Sequence, residues 1–175
     1  MVDDADAPLV ERARLGDRQA QGELYRRYRA PLCTLVRRYA GADTEDVVQR
    51  AFVQAFERIE SFRGDGPFRA WLFRIAVHTA VSHARGSKRP EPIDIDDLAA
   101  FTNGLGTSRL VAAEVWQKVA GKLALLPPKQ RLCVELRLFH DLSFREVAEI
   151  VGCSEEAAKV NFHYGVKRLR DVIPP

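Results

Sequence analysis

Ser143-Phe144-Arg145-Glu146-Val147-Ala148-Glu149-Ile150-Val151-Gly152-Cys153-Ser154-Glu155-Glu156-Ala157-Ala158 carries two helix starts separated by a glycine turn. Ser143 and Glu146 stand at capping-box spacing, where the hydroxyl and the carboxylate satisfy each other's otherwise unpaired amides at a helix start. Val147, Ile150 and Val151 then form one apolar face. Gly152-Cys153 predicts a tight turn, Ser154 offers a second cap, and Ala158, Phe162, Gly165 and Leu169 recur at i, i+4, i+7 and i+11. Two helices so closely joined read as a helix-turn-helix.

In such a unit the second helix enters a DNA major groove, and exposed side chains of its leading half reach base edges. Lys159, Val160, Asn161, His163 and Tyr164 occupy those positions. Lys159 suits guanine acceptors or a phosphate, and Asn161 suits an adenine edge. Lys167, Arg168 and Arg170 suit the DNA backbone. Glu155 and Glu156 point the other way, because carboxylates at the leading end repel phosphates unless the helix dipole or a cytosine amino group compensates. The sequence leaves both compensations open, and a helical hairpin with a solvated charged face fits the same pattern.

Outward from this motif, helical periodicity continues and no run of strict alternation argues for a sheet, so the fold class is all-α. Toward the N-terminus, Lys129 to Phe139 is helical behind the break at Pro127-Pro128. Residues 86 to 108 lose periodicity and collect Pro90, Pro92, Gly104 and Gly106 with Asp94, Asp96 and Asp97, a linker composition. The expected organisation is two small helical domains, 1–88 and 110–175, joined by a flexible acidic linker at 89–109.

The N-terminal half reads as four helices. The first runs from Leu9 to Leu15 and stops at Gly16, and Asp17 caps the second, which carries Leu24, Tyr28, Leu32, Leu35 and Tyr39 on one face. Pro31 is expected to kink or interrupt it. Asp43-Thr44 offers the cap of a third helix, with Val48, Phe52, Ala55, Phe56 and Ile59 inward. Pro67 suits the first turn of a fourth. Its apolar stripe is Phe68, Trp71, Leu72, Ile75, Ala76 and Thr79, with Arg74, His78, Ser82 and Arg85 on a neighbouring polar stripe.

Between the third and fourth helices, aromatic and basic residues interleave: Phe62, Phe68, Trp71 and Phe73 with Arg63, Arg69 and Arg74. Aromatic planes beside cations suit single-stranded DNA, whose unstacked bases can lie on side chains or in pockets. Helical spacing assigns Phe68 and Trp71 to the core. The loop Phe62-Arg63-Gly64-Asp65-Gly66 is the better binding candidate, since its glycines permit close approach of a ligand.

Composition narrows the class further. Hydrophobic residues make up 46% of the 175 and charged residues 29%, which describes a globular chain with enough apolar material for two small cores. No apolar run has the length of a membrane span, and Met1-Val2-Asp3-Asp4 is no signal sequence, so a cytoplasmic protein without membrane insertion is expected. The net charge of +3 is unevenly spread: residues 1–90 carry 16 cations against 12 anions, 91–110 carry 1 against 4, and 111–175 carry 10 against 8. Mild positive charge on both domains is compatible with phosphate contact. Cys33, Cys133 and Cys153 form no CxxC pair and read as buried reduced thiols. A zinc site from Cys133, Cys153, His140 and His163 matches no familiar ligand spacing, so neither metal nor cofactor is expected. No phosphate-binding glycine loop, HExxH or nucleophile elbow is present, which argues against an enzyme.

Two stretches resemble a known family. Asp43-Thr44-Glu45-Asp46-Val47-Val48-Gln49, running through Phe52, Phe56 and Phe62-Arg63-Gly64-Asp65-Gly66-Pro67-Phe68-Arg69-Ala70-Trp71-Leu72-Phe73-Arg74-Ile75-Ala76, is similar to region 2 of extracytoplasmic-function (ECF) sigma factors. Leu125, Pro127-Pro128-Lys129-Gln130-Arg131 and Leu142-Ser143-Phe144-Arg145-Glu146-Val147-Ala148-Glu149-Ile150 are similar to their region 4. The resemblance implies a sigma factor that binds core RNA polymerase and directs initiation at promoters. It implies that Asp46, Gln49 and Arg50 dock on the polymerase's largest subunit. Phe62, Arg63, Gly64 and Asp65, with Arg74 and His78 on the next helix, would hold the -10 element open, and Lys159, Asn161, His163, Tyr164 and Lys167 would face the -35 element. The linker would lie toward the RNA exit path, and an anti-sigma factor would be a further partner. This chain departs from the family pattern at Val77-His78, at Ser82 and across Ala157-Ala158-Lys159-Val160-Asn161-Phe162. The departure in the last helix keeps in play a sigma-like protein that sequesters a regulatory partner; a helix-turn-helix regulator that works without polymerase is a further alternative.

Overall fold

A computed structural model describes residues 5–86 and 122–172, which belong to two separate compact units; the expected linker at 89–109 lies outside the described residues. Every regular element among the described residues is helical. The expected all-α class is therefore what is found.

In the first unit, α1 spans Ala7–Arg14, α2 Arg18–Ala40, α3 Thr44–Glu57 and α4 Phe68–Ala84, with single 3₁₀ turns at Gly41–Asp43 and Ile59–Ser61. The chain reverses after α1 at Gly16, whose φ of +80° is costly for any residue with a Cβ. Asp17 then caps α2 as expected, its Oδ1 accepting from the amides of Gln19 at 2.8 Å and Ala20 at 3.2 Å. Pro31 does not interrupt α2, contrary to the sequence expectation that allowed a break there. Leu24 on one side of it and Leu32, Leu35 and Val36 on the other are all buried in one core. At about 1.5–3 kcal/mol per buried side chain, that burial offsets the roughly 3 kcal/mol cost of an internal proline.

The start of α3 differs from its sequence reading as well. Asp43 makes no capping bond, and Thr44 Oγ1 donates to the Gly41 carbonyl at 2.7 Å across the preceding 3₁₀ turn. The Asp43 carboxylate lies 3.1 Å from His83 Nε2, joining the head of α3 to the tail of α4. Arg29 on α2 forks onto Glu45 of α3 through Nη2 at 2.5 Å and Nε at 3.1 Å.

α4 is the central helix, packed against both α2 and α3. It buries far more than one stripe: Phe68, Ala70, Leu72, Phe73, Ala76, Val77, Thr79, Ala80, Val81 and Ser82 are all inside. Ser82 is thus not on a polar rim as its spacing predicted. It is 5% exposed, and its hydroxyl has no hydrogen-bond partner among the described residues. Two flanking helices cover a wider arc of α4 than a single neighbour would.

The second unit contains α5 (Pro128–Phe139), α6 (Phe144–Val151) and α7 (Glu155–Val172). Pro127 and Pro128 open α5, where a missing amide costs nothing. Arg131 is buried, and its Nη2 donates to the carbonyls of Ala124 at 2.5 Å and Leu126 at 2.9 Å, closing the preceding turn. Ser143 and Glu146 form the full capping box, with Ser143 N donating to Glu146 Oε2 at 2.7 Å and Glu146 N to Ser143 Oγ at 3.3 Å. Gly152 ends α6 in the left-handed region (φ 71°, ψ 44°), and the amides of Gly152 and Cys153 both donate to the Ala148 carbonyl. Ser154 Oγ accepts from Ala157 N at 3.1 Å, so the helix-turn-helix forms as its caps predict. A cluster of Leu123, Leu126, Val134 and Leu169, with Phe162 and Val166 against it, seats α7 on α5.

Candidate nucleic-acid interface

Asp46, Gln49 and Arg50 lie exposed along one side of α3, at i, i+3 and i+4, and Val53 extends the same face at 56% exposure. Arg50 Nη2 donates to Asp46 Oδ2, so this face carries both charges side by side and an apolar contact. α3 presents it because its opposite side, Val47, Val48, Ala51, Phe52 and Ala55, fills the core.

In the loop after α3, Arg63, Gly64 and Asp65 are exposed, and Gly64 has a φ of +77° that favours glycine. Phe62 is placed differently from its sequence reading. It is 8% exposed, with its ring centroid 5.7 Å from that of Phe68 in an edge-on contact and 5.4 Å from that of Trp71. Its ring belongs to an aromatic cluster under the loop, because a side chain that buries this much apolar area is worth more inside than in water. Trp71 is only partly buried. The outward-facing part of the loop is therefore Arg63-Gly64-Asp65.

On α4, Arg74 is exposed and His78, one turn on, is half-buried. Burial pushes the His78 imidazole below the ordinary histidine range, and the Arg74 charge adds to that effect. His78 thus stays neutral at physiological pH and can both donate and accept a hydrogen bond.

Sequence reasoning missed Arg14 at the end of α1. Its Nε donates to the Ile59 carbonyl at 3.4 Å and its Nη2 to the Phe62 carbonyl, and its guanidinium carbon lies 5.7 Å from the Phe62 ring centroid. No local pattern announces it, because its partners are 45 and 48 residues away.

On α7, Val160, His163, Tyr164, Lys167, Arg168 and Arg170 are exposed, and Val160 and Tyr164 are 52% and 53% accessible. Lys159 is held at home: its Nζ is 3.0 Å from both Glu155 Oε1 and Glu156 Oε1. Those carboxylates, the Glu156 hydrogen bond foremost, raise the ammonium above the ordinary lysine range. The Asn161 amide Nδ2 donates to the Ala157 carbonyl at 2.9 Å, one turn back in the same helix. Of the five expected reading residues, His163, Tyr164 and Lys167 project outward, whereas Lys159 and Asn161 have intrahelical partners. Phe144 of α6 meets Phe162 of α7 edge-on at 5.4 Å, and Arg137 lies 4.8 Å from the Phe144 ring, which fixes the angle at which α7 leaves the turn.

Cys133 is buried and Cys153 partly so, and burial pushes the Cys133 thiol up to about 12. Among the described residues no group of three or more His, Cys, Asp or Glu side chains is gathered to hold a metal ion. No helix among them is long and apolar enough to cross a membrane.

The family described as Sigma-70 region 2 matches residues 24–90, and that described as Sigma-70, region 4 matches residues 117–169. The two matches, in that order on helical units with the exposed Arg63-Gly64-Asp65 loop and a helix-turn-helix, define a protein of the sigma-70 class. The ECF RNA polymerase sigma-E factor of Escherichia coli (strain K12) is 38% identical over 160 residues, spanning 85% of this chain and 83% of the relative. That of Haemophilus influenzae (strain ATCC 51907 / DSM 11121 / KW20 / Rd) is 36% identical, spanning 97% and 96%. The solved structure of CnrH in complex with the cytosolic domain of CnrY superposes with a TM-score of 0.74 at 27% identity, covering 97% of each chain. The chain belongs to the ECF family of RNA polymerase sigma factors, regulators of transcription initiation.

Proposed function

We propose that this chain acts in the cytoplasm as a dissociable specificity subunit of RNA polymerase. The α3 face of Asp46, Gln49 and Arg50 contacts the core enzyme. The loop Arg63-Gly64-Asp65, with Arg74 and His78 of α4, holds the unpaired -10 strand, and Phe62 shapes the loop from beneath. The exposed face of α7, carried by His163, Tyr164 and Lys167 with Lys159 and Asn161 beside them, reads the -35 duplex. An anti-sigma factor is the expected inhibitory partner. The single observation that carries the reading is the ordered pair of sigma-70 matches across most of the chain, region 2 ahead of region 4.

The test is transcription in vitro with purified core polymerase on promoter fragments from the source genome, including the DNA upstream of the chain's own gene. Core polymerase plus this chain should initiate at defined start sites where core alone does not. Tight binding to core without opening of any fragment would overturn it. Such a result would favour the sequestering alternative, to which the intrahelical pairing of Lys159 lends some support. Specific duplex binding in the absence of polymerase would favour a stand-alone regulator.

A further inference from the structure

α1 lies outside the region 2 match, which begins at residue 24. Its attachment to the rest of the unit is nonetheless elaborate. Asp6, just before α1 and 3% exposed, accepts hydrogen bonds from Arg27 Nη1 and the Tyr28 hydroxyl of α2. Arg12 pairs with Asp17 at 2.6 Å across the turn. The helix is thereby anchored at both ends, and Val10 and Ala13, each 1% exposed, fill its inner face.

Arg14 reaches from this fixed helix to the point where the chain enters the loop. Glu11 Oε1 accepts from Arg14 Nη1 at 2.6 Å, and the other two guanidinium nitrogens, Nε and Nη2, donate to the carbonyls of Ile59 and Phe62. These carbonyls bracket the 3₁₀ turn Ile59–Ser61, immediately before Arg63. The same guanidinium lies over the Phe62 ring, whose other sides meet Phe68 and Trp71 of α4. Arg14 therefore fixes both the backbone and the side chain of the residue from which the exposed loop departs. A planar, five-donor guanidinium can do both at once, whereas a lysine ammonium cannot.

We infer that Arg14 is a positioning residue for strand capture: α1 serves as a strut that holds the mouth of the Arg63-Gly64-Asp65 loop in the shape that accepts an unstacked base. This rests on the proposed role of that loop. Arg14 itself touches no DNA. Its effect runs through the Phe62 carbonyl and ring, in keeping with the sensitivity of binding sites to small displacements of their supports.

The test uses the full chain assembled with core polymerase and compares the unsubstituted chain with Arg14→Ala, Arg14→Lys and Arg63→Ala. The probe is a fluorescent single-stranded oligonucleotide carrying the non-template -10 segment from upstream of the chain's own gene. Arg14→Ala should weaken oligonucleotide capture by about tenfold, as loss of charge-assisted hydrogen bonds implies, with core affinity within about twofold. Arg14→Lys should fall between the two. In the free chain, with Trp116, the second of its two tryptophans, replaced by phenylalanine, Arg14→Ala should also change the emission of Trp71, which the Phe62 ring contacts. Parallel losses of core affinity and oligonucleotide capture would reduce Arg14 to general stability of the unit and overturn the inference. So would unchanged capture by Arg14→Ala while Arg63→Ala is impaired. If Arg63→Ala also captures the oligonucleotide normally, the loop reading itself fails and the inference falls with it.

Discussion

Gly165 of α7 lies so close to Val134 of α5 that a Cβ at position 165 would stand 2.6 Å from Val134 Cγ2 and 3.2 Å from the Gln130 carbonyl oxygen. The backbone of the second helix of the helix-turn-helix thus rests directly on α5, and the reading face points away from that contact. Val134 is fully buried and cannot swing aside, and the Gln130 oxygen is main chain. Gly165→Ala should therefore destabilise the second unit by about 1–3 kcal/mol, despite alanine's better helix propensity. Thermal denaturation of the substituted chain measures it, and an unchanged or raised melting temperature would contradict the close approach.

Lys159 should become available to DNA when its intrahelical partners lose their charge. Glu155→Gln combined with Glu156→Gln leaves the helix intact but removes both ion pairs and two carboxylates from its leading end. Holoenzyme affinity for promoter duplex should rise, and the slope of log K against log salt should steepen by about one, as expected for one added phosphate contact. An identical slope would mean that Lys159 does not face the backbone.

His78 predicts a pH effect whose sign follows from its burial. Its folded value is depressed below the ordinary 6.5, so the unfolded chain takes up this proton first and stability rises with pH across that interval. The contribution of the neutral ring is complete above about pH 6.5 and is lost as pH falls toward the depressed value. His78→Gln should remove this component from the dependence of melting temperature on pH between about 5 and 7. If the two profiles are parallel through that range, the ring is not buried in the neutral form.

Cys133 should be chemically silent in the folded chain. Its thiol is fully buried and pushed up to about 12, and the thiolate is the reactive form. Iodoacetamide at pH 8 should leave Cys133 unmodified under native conditions and label it in denaturant, as read by peptide mass spectrometry. Rapid native labelling would show that the second unit opens readily around α5.

Local chemistry was the legible part of this chain. The Asp17 cap, the Ser143-Glu146 box, the Gly152 turn and the spacing of Ala158, Phe162, Gly165 and Leu169 each involve residues within one or a few helical turns. A hydrogen bond between near neighbours is set by backbone geometry that every helix shares, so spacing alone reveals it. The exposed positions of Asp46, Gln49, Arg50 and His163 follow from the same periodicity, and that of Arg63 from its place in a glycine-bearing loop.

Long-range packing selects which polar and aromatic groups are used up inside. Asp43 meets His83 rather than capping α3, Ser82 is enclosed because α4 has helices on two sides, and Pro31 is carried through α2 by the core on either side of it. Phe62 stands at the head of a glycine-rich loop that suits stacking, yet Phe68, Trp71 and Arg14 draw it inward. The helical class, the caps and the helix-turn-helix were legible in the residues alone, because they depend on contacts a few residues apart. The support beneath the loop depends on an arginine 48 residues away, and only packing, which is blind to separation along the chain, brings the two together.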